Sequence, residues 1–137
     1  MTRYRVLVTG SRDWEDRRTI ARTLSRIHRQ HGASTLVCGR SYGAERMAMR
    51  IAYRLGWVVD SYPANDNVHT EDCPDWHREA PRCEQAYARR NRAMIASGVD
   101  ECVAFDLGDS QVVDNCVARA GEKDVPVTRI RHQWRNQ

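Results

Sequence analysis

Hydrophobic and polar positions along the chain follow two alternating patterns, short β-rich runs and segments with a helical period. Residues 4–9 form a short β-rich run that ends at Gly10, which is typical of a buried parallel strand. Ile20, Leu24 and Ile27 then follow at spacings of four and three, so they share one face of a helix. The same two patterns predict strands over 4–9, 35–38, 57–62, 101–105 and 125–130.

Helices are predicted between these strands. The first begins after Asp13 or Asp16, either of which can cap it, and ends at Gly32. The others cover about 44–55, 84–97 and 111–120, and a glycine closes each of them: Gly56, Gly98 and Gly121. The strand residues expected to be buried are Val6, Val8, Leu36, Val58, Val103, Phe105 and Val127.

This alternation predicts the fold class. It is α/β, an open sheet of about five parallel strands with helices on both faces. We expect the strand order 3-2-1-4-5. We interpret residues 1–137 as a single domain with an irregular insertion at about 63–83.

The composition fits one folded domain, since 41% of the 137 residues are hydrophobic and 29% are charged. No apolar run approaches the roughly 20 residues that span a membrane, and the chain does not open on a signal-peptide pattern, so a cytoplasmic protein is expected. A net charge of +4 does not by itself indicate nucleic-acid binding. The five cysteines are odd in number, which argues against a disulfide framework.

Three loops leave the predicted carboxyl ends of strands, and each carries glycine and a hydroxyl group. Ligands of open parallel sheets bind at this edge, where glycine amides and helix N-termini favour anions. We therefore predict a site for a nucleotide-like phosphate ligand; the alternative is that these are ordinary strand-to-helix turns. The candidate ligand-binding residues are Gly10, Ser11, Arg12, Asp13, Gly39, Arg40, Ser41, Tyr42, Gly43, Gly108 and Ser110.

A basic stretch over residues 87–94 supplies further candidates. Arg90 and Asn91 could turn toward the same site and hold a phosphate or a sugar hydroxyl. Arg89 and Arg92 are interpreted instead as part of a solvated basic face.

The insertion contains four residues of the types that bind zinc, within 15 positions: His69, Cys73, His77 and Cys83. The segment has little apolar content, so a structural zinc could supply its order. The spacing is not that of a standard zinc finger. The alternative is a mobile loop with incidental cysteines.

Three motifs resemble one known group. They are V-T-G-S-R-D-W at 8–14, G-R-S-Y-G-A-E-R-M-A at 39–48 and R-R-N-R-A-M at 89–94, and they look like the YspA-like branch of the SLOG superfamily. That superfamily includes the LOG phosphoribohydrolases and the Smf (DprA) DNA-processing proteins. The resemblance spans about residues 4–130 and implies a Rossmann-like sheet that binds nucleotides or nucleotide-derived ligands.

The chain departs from the family pattern in two loops. Residues 39–45 read G-R-S-Y-G-A-E where G-G-A-R-G-A-D is usual, and 106–111 read D-L-G-D-S-Q in place of P-G-G-x-G-T. Asp106 and Asp109 would repel a phosphate there. The resemblance matches the LOG arginine to Arg90, and the LOG catalytic glutamate to Asp114 or, in a second alignment, to Cys116.

Three functions follow as hypotheses. The first is a module that binds or senses a nucleotide-like small molecule. The second is a nucleoside 5′-monophosphate phosphoribohydrolase, in which Glu45 or Asp114 stabilises the cationic sugar and Arg90 orients the substrate. The third is an Smf-type DNA-binding protein, for which the basic clusters at 17–18 and 129–135 are weak support.

A homo-oligomer, such as a dimer, is expected because oligomers are common among relatives.

Overall fold

A parallel sheet lies at the centre of the protein. The computed structural model describes residues 3–71 and 73–132. Its strands are β1 (Arg5–Gly10), β2 (Thr35–Cys38), β3 (Val58–Ser61), β4 (Glu101–Asp106) and β5 (Val127–Arg131). Within that part of the chain the five strands pair only in parallel, in the order β3-β2-β1-β4-β5. The predicted fold class and strand order are therefore confirmed.

Helices cover both faces of this sheet. They are α1 (Arg17–His31), α2 (Ala44–Arg54), α3 (Asp75–Arg78), α4 (Ala86–Ala96) and α5 (Gln111–Glu122). Side chains of a strand alternate between faces, so Val6 and Val8 pack with α1 and α2, whereas Leu7 packs with α4 and α5. The two apolar layers hold the carboxyl edge of the sheet in a fixed position.

The edge strands are less buried than the sequence predicts. Val6, Val8, Leu36, Val103 and Phe105 are buried as expected, but Val58 is 50% exposed and Val127 is only half-buried. Val58 lies on β3 and Val127 on β5, and among the described residues each of these strands has a neighbour on one side only. The predicted burial of Val58 is therefore wrong.

The helix caps follow the sequence with one exception. Asp16, rather than Asp13, caps α1 by accepting a hydrogen bond from Thr19 N–H at 3.1 Å. Ser110 caps α5 by accepting one from Val113 N–H at 3.2 Å. Gly121 does not close α5, which continues to Glu122.

Gly121→Ala is expected to raise the free energy of unfolding by about 0.5 kcal/mol, because glycine inside a helix has a larger entropic cost than alanine. A Cβ at Gly121 would meet no other atom within 4 Å. Gly98 is the matched control: it has the same open space but a φ of +87°, so Gly98→Ala should lower stability by about 1 kcal/mol. Urea unfolding followed by circular dichroism measures both changes. Equal shifts in the two variants would contradict this helix boundary.

The end of β5 is fastened to the loop that follows β1. The His132 ring stacks on Trp14 with centroids 4.6 Å apart, and His132 Nε2 donates to Asp16 Oδ2 at 2.7 Å. The Thr19 hydroxyl, followed by His132, lowers the pKa of Asp16 to about 2. The predicted basic cluster at 129–135 continues past residue 132, outside the described residues.

The segment 63–83 is not wholly irregular. It contains the single-turn helix α3, and Cys73, Cys83 and Ala86 form a small buried cluster with Ala64.

Among the described residues, no helix has the length and apolar character needed to cross a bilayer. The cytoplasmic location and the homo-oligomer expected from the sequence stay predictions.

Candidate functional site

Ser11 joins the three loops at the carboxyl edge of the sheet. Its side chain is fully buried, and its hydroxyl donates to Asp109 Oδ1 at 2.9 Å and accepts from Leu107 N–H at 3.0 Å. Its carbonyl oxygen accepts from Ala44 N–H, the first residue of α2, at 3.3 Å. The loops after β1, β2 and β4 therefore meet, although Ser11 itself is used in holding them together.

The glycines of these loops permit close packing between elements. A Cβ on Gly43, whose φ is +79°, would overlap the carbonyl oxygen of Arg12. A Cβ on Gly10 would overlap the Ala44 side chain, and one on Gly39 would overlap the guanidinium of Arg90. These contacts explain the glycines without a ligand, and they place Arg90 directly against the β2 loop.

Two adjoining cavities open at this edge. We call the first, of about 330 Å³, the loop cavity; it is lined by Gly10, Arg12, Asp13, Ser41, Glu45, Tyr87, Asp109, Ser110 and Val112. We call the second, of about 510 Å³, the arginine cavity; it is lined by Gly39, Arg40, Ser41, Arg46, Met49, Arg50, Tyr53, Pro63, Ala64, Tyr87 and Arg90.

The two cavities differ sharply in charge. The loop cavity combines three carboxylates with one arginine, whereas the arginine cavity has four arginines and, within residues 3–71 and 73–132, no lining carboxylate. Tyr87 stands between them: its hydroxyl accepts from Arg12 at 3.3 Å, and the Arg90 guanidinium lies 5.6 Å from its ring centre. An anion is therefore favoured in the arginine cavity.

Glu45 and Arg90 are buried charges beside Gly39. They are 3% and 5% exposed, and Glu45 Oε1 accepts a hydrogen bond from Gly39 N–H at 2.5 Å. Burial raises the pKa of Glu45, opposed chiefly by the positive charge of Arg90. Arg90 Nε donates to Asn91 Oδ1 at 3.1 Å, but Arg90 Nη1 is buried and has no hydrogen-bond partner among the described residues.

Several residues predicted for the site lie outside both cavities. Ser11, Tyr42, Gly43, Asn91, Gly108 and Asp114 are absent from the two linings. The Asn91 amide donates to Val112 O and Asn115 Oδ1, both at 3.1 Å, so it joins α4 to α5. Gly108 N–H donates to Asp106 Oδ1 at 2.7 Å.

Asp114 is bound to Arg129 and is largely exposed. The same guanidinium pairs with the fully buried Asp106 at 2.6 Å. Asp106 thus faces β5 rather than the loop cavity, so it is neutralised and does not repel a ligand there. The alternative position, Cys116, is buried in the apolar layer under α4 and α5.

Four cavity residues of α2 were not predicted from the sequence: Arg46, Met49, Arg50 and Tyr53. Arg46 and Arg50, like Met49 and Tyr53, are four positions apart and so project from one side of the helix. Two arginines at this spacing repel each other in an isolated helix. Arg18, Arg22 and Arg26 have the same spacing on α1, so the sequence alone does not single out this pair.

The four predicted zinc ligands come together in the 63–83 segment. One potential ligand atom from each of His69, Cys73, His77 and Cys83 lies within 4.8 Å of all the others. Arg89, interpreted from the sequence as solvated, is half-buried and donates to both sulfurs. That interpretation is wrong because the folded segment covers this side of α4.

Comparison with known proteins identifies the family. Residues 4–69 match the family described as YspA, cpYpsA-related SLOG. The Gene 61 protein of Mycobacterium phage D29 is 34% identical over 124 residues, which cover 90% of this chain and 93% of that protein. The chain belongs to the YspA, cpYpsA-related SLOG family. The resemblance seen in the sequence is confirmed.

A solved SLOG-type fold superposes on this one. The X-ray structure of DNA processing protein A (DprA) from Streptococcus pneumoniae matches with a TM-score of 0.68 and 16% identity, over 93% of this chain and 50% of that chain. This SLOG chain therefore spans about half the length of that protein, and at this identity the likeness shows the fold alone. The family match at 4–69 includes the loops after β1 and β2, whereas Arg90 and the β4 loop lie outside it.

Proposed function

We propose that the protein binds a nucleotide or a nucleotide-derived phosphate ligand at the carboxyl edge of its sheet, with the phosphate in the arginine cavity. The observation that carries this proposal is the buried Nη1 of Arg90, which has no partner among the described residues and belongs to a side chain that lines the cavity. A buried charged donor without an acceptor is costly. A phosphate oxygen would supply the missing acceptor.

The surroundings of Arg90 support the same ligand class. Arg40, Arg46 and Arg50 line the cavity, and arginine binds phosphate through paired hydrogen bonds. Tyr53 and Tyr87 offer ring surfaces on which a base could stack. The volume of about 510 Å³ lies within the range of roughly 300–1,000 Å³ that is usual for small-molecule sites.

Side chains, rather than backbone amides, are the anion ligands in this proposal. The sequence predicts that loop N–H groups approach the phosphate, but Gly39 N–H donates to Glu45 and Gly108 N–H donates to Asp106. Both amides already have acceptors. The arginines therefore take the role that glycine amides have in phosphate-binding loops.

Thermal stabilisation by nucleotides tests the proposal. We expect AMP, cyclic AMP, NAD or ADP-ribose to raise Tm, since a ligand at 100 times its Kd adds about 2.7 kcal/mol. Arg50→Ala removes an exposed cavity arginine and should weaken binding by about tenfold, as the loss of a charged hydrogen bond does. Arg54→Ala is the matched control, because it removes the same charge one helical turn away, outside both cavities.

Two results would contradict phosphate binding in the arginine cavity. One is a panel in which no nucleotide raises Tm. The other is an equal loss of affinity in Arg50→Ala and Arg54→Ala, which would reveal a general effect of net charge.

A phosphoribohydrolase is the second candidate, and Glu45 favours it. This carboxylate lines the loop cavity beside Arg90, so a sugar between the two cavities would be within its reach. The test is release of ribose 5-phosphate from AMP. Glu45→Gln keeps an oxygen for the Gly39 N–H, and should retain AMP binding while abolishing release. Binding without release in the unaltered protein would leave the binding module as the function.

Single-stranded DNA is a third candidate occupant. Tyr42 and Tyr53 are exposed beside Arg46 and Arg50, and the Arg46 guanidinium lies 3.8 Å from the Tyr42 ring centre. Exposed aromatic rings among arginines suit a stacked strand. An oligo(dT) affinity that falls steeply with salt would favour this occupant over a mononucleotide.

A further inference from the structure

We propose that His69, Cys73, His77 and Cys83 bind one structural Zn²⁺, which orders the 63–83 segment; this inference does not rest on the proposed function. One ligand atom from each residue lies within 4.8 Å of the others, and the two sulfurs are 3.6 Å apart. Tetrahedral zinc with its usual bond lengths separates ligand atoms by about 3.3–3.8 Å. The sulfurs already have this separation, and the remaining atoms need only a small contraction.

His69 is oriented as a metal ligand. Its Nε2 lies 2.8 Å from the carbonyl oxygen of Ala80, and because a carbonyl can only accept, Nε2 carries the proton. The lone pair is then on Nδ1, which is buried and has no hydrogen-bond partner among the described residues. Histidines that bind metals commonly donate their other ring N–H to a carbonyl in this way.

His77 presents its lone pair in the same cluster. The residue is buried, and Nε2 accepts a hydrogen bond from Glu84 N–H at 3.2 Å. A metal bound to that nitrogen would replace this single long hydrogen bond. The cost of exchanging it is small compared with a metal–nitrogen bond.

Arg89 supports the thiolate form of both cysteines. Its Nη1 donates to Cys73 Sγ at 3.6 Å and its Nη2 to Cys83 Sγ at 3.3 Å. The guanidinium is itself held by Val68 O at 3.1 Å and Thr70 Oγ1 at 3.2 Å. Zinc binds thiolate, so this outer contact favours the required ligand state and fixes the sulfur positions.

The segment needs an additional source of order. Its buried apolar cluster consists of Cys73, Cys83, Ala86 and the partly buried Ala64, and two of these four are proposed ligands. Such a cluster is far too small to fix about twenty residues by apolar burial. A disulfide between the cysteines would use the sulfurs but would leave the two converging histidines without a role.

Metal content of the full chain, purified without a histidine tag, tests the site. We expect one Zn²⁺ per chain by inductively coupled plasma mass spectrometry, and its loss in Cys83→Ser and His69→Ala. Cys116→Ala is the matched control, because it removes a buried thiol outside the cluster and should retain the zinc. A metal-free wild-type chain that remains metal-free after dialysis against Zn²⁺ would overturn the proposal.

A second measurement does not depend on folded variants. Replacement of zinc by Co²⁺ in the wild-type chain should give intense visible bands of a tetrahedral ion and a thiolate charge-transfer band. Removal of the metal by a chelator should lower Tm by about 5 °C or more. A pale octahedral Co²⁺ spectrum, or a chain whose mass is lower by two hydrogens through a Cys73–Cys83 disulfide, would refute the zinc site.

Discussion

Val103→Asp is expected to abolish folding. Val103 is 1% exposed in the middle of β4, where β1 and β5 flank it and α1 and α2 cover its side chain. A carboxylate there has no partner of opposite charge within the apolar layer, and burying it costs more than about 4 kcal/mol. That penalty approaches the whole stability of a domain at the low end of the usual range of about 5–15 kcal/mol. Circular dichroism and size-exclusion chromatography measure the loss.

Val58→Asp is the matched control for this prediction. The same substitution falls on a strand, but on the edge strand β3 at a side chain that is half exposed. Its carboxylate remains in water, so we expect a change in unfolding free energy of about 0.5 kcal/mol or less. A folded Val103→Asp variant, or an unfolded Val58→Asp variant, would contradict the assignment of central and edge strands.

Asp106→Ala is expected to destabilise the protein by about 3 kcal/mol, because it removes the buried carboxylate that pairs with Arg129 and accepts from the Gly108 amide. Asp106 is fully buried at the end of β4 and accepts from Arg129 Nε at 2.8 Å and Gly108 N–H at 2.7 Å. Its loss leaves the half-buried Arg129 without this partner and the Gly108 amide without an acceptor. Urea unfolding gives the difference in free energy.

Asp114→Ala supplies the control on the same arginine. Asp114 is the second carboxylate on Arg129, but its side chain is 63% exposed. An exposed ion pair contributes about 0–1 kcal/mol, so this variant should lose far less than Asp106→Ala. Equal losses would mean that burial does not decide the strength of the contact. Asp114→Ala should also leave nucleotide binding unchanged, because Asp114 lines neither cavity.

The central strands could be predicted because burial on both faces favours apolar residues along the middle of each strand. β1, β2 and β4 are read directly from unbroken apolar runs. Val58 and Val59 begin β3, which continues with Asp60 and Ser61, and Val58 is exposed although it is apolar. Its environment depends on which strand lies at the edge of the sheet, and that information lies in the strand order rather than in the local pattern.

The glycine loops were located correctly, but their chemistry could not be predicted from residue type. A glycine is needed where a backbone amide approaches a phosphate, and also where a guanidinium packs against the backbone. At Gly39 the structure shows the guanidinium of Arg90 in this position. Likewise, the sequence predicts that Asp106 repels a phosphate. In the fold Asp106 is paired with Arg129 of β5, which lies 23 positions later in the chain. Such pairings arise from tertiary contacts, which spacing along the sequence does not encode.

The central position of β1 has a consequence for synthesis of the protein. β1 is translated before the other four strands, but one of its two hydrogen-bonded edges is covered only by β4, whose residues Glu101–Phe105 pair with Val6–Gly10. A nascent chain that has not reached residue 106 therefore presents the open edge of a strand whose centre, Val6–Val8, is apolar, and such an edge is prone to aggregation. The contact of His132 with Trp14 and Asp16 forms later still. The sheet is thus completed from its centre outward, and only after β4 and β5 have been synthesised.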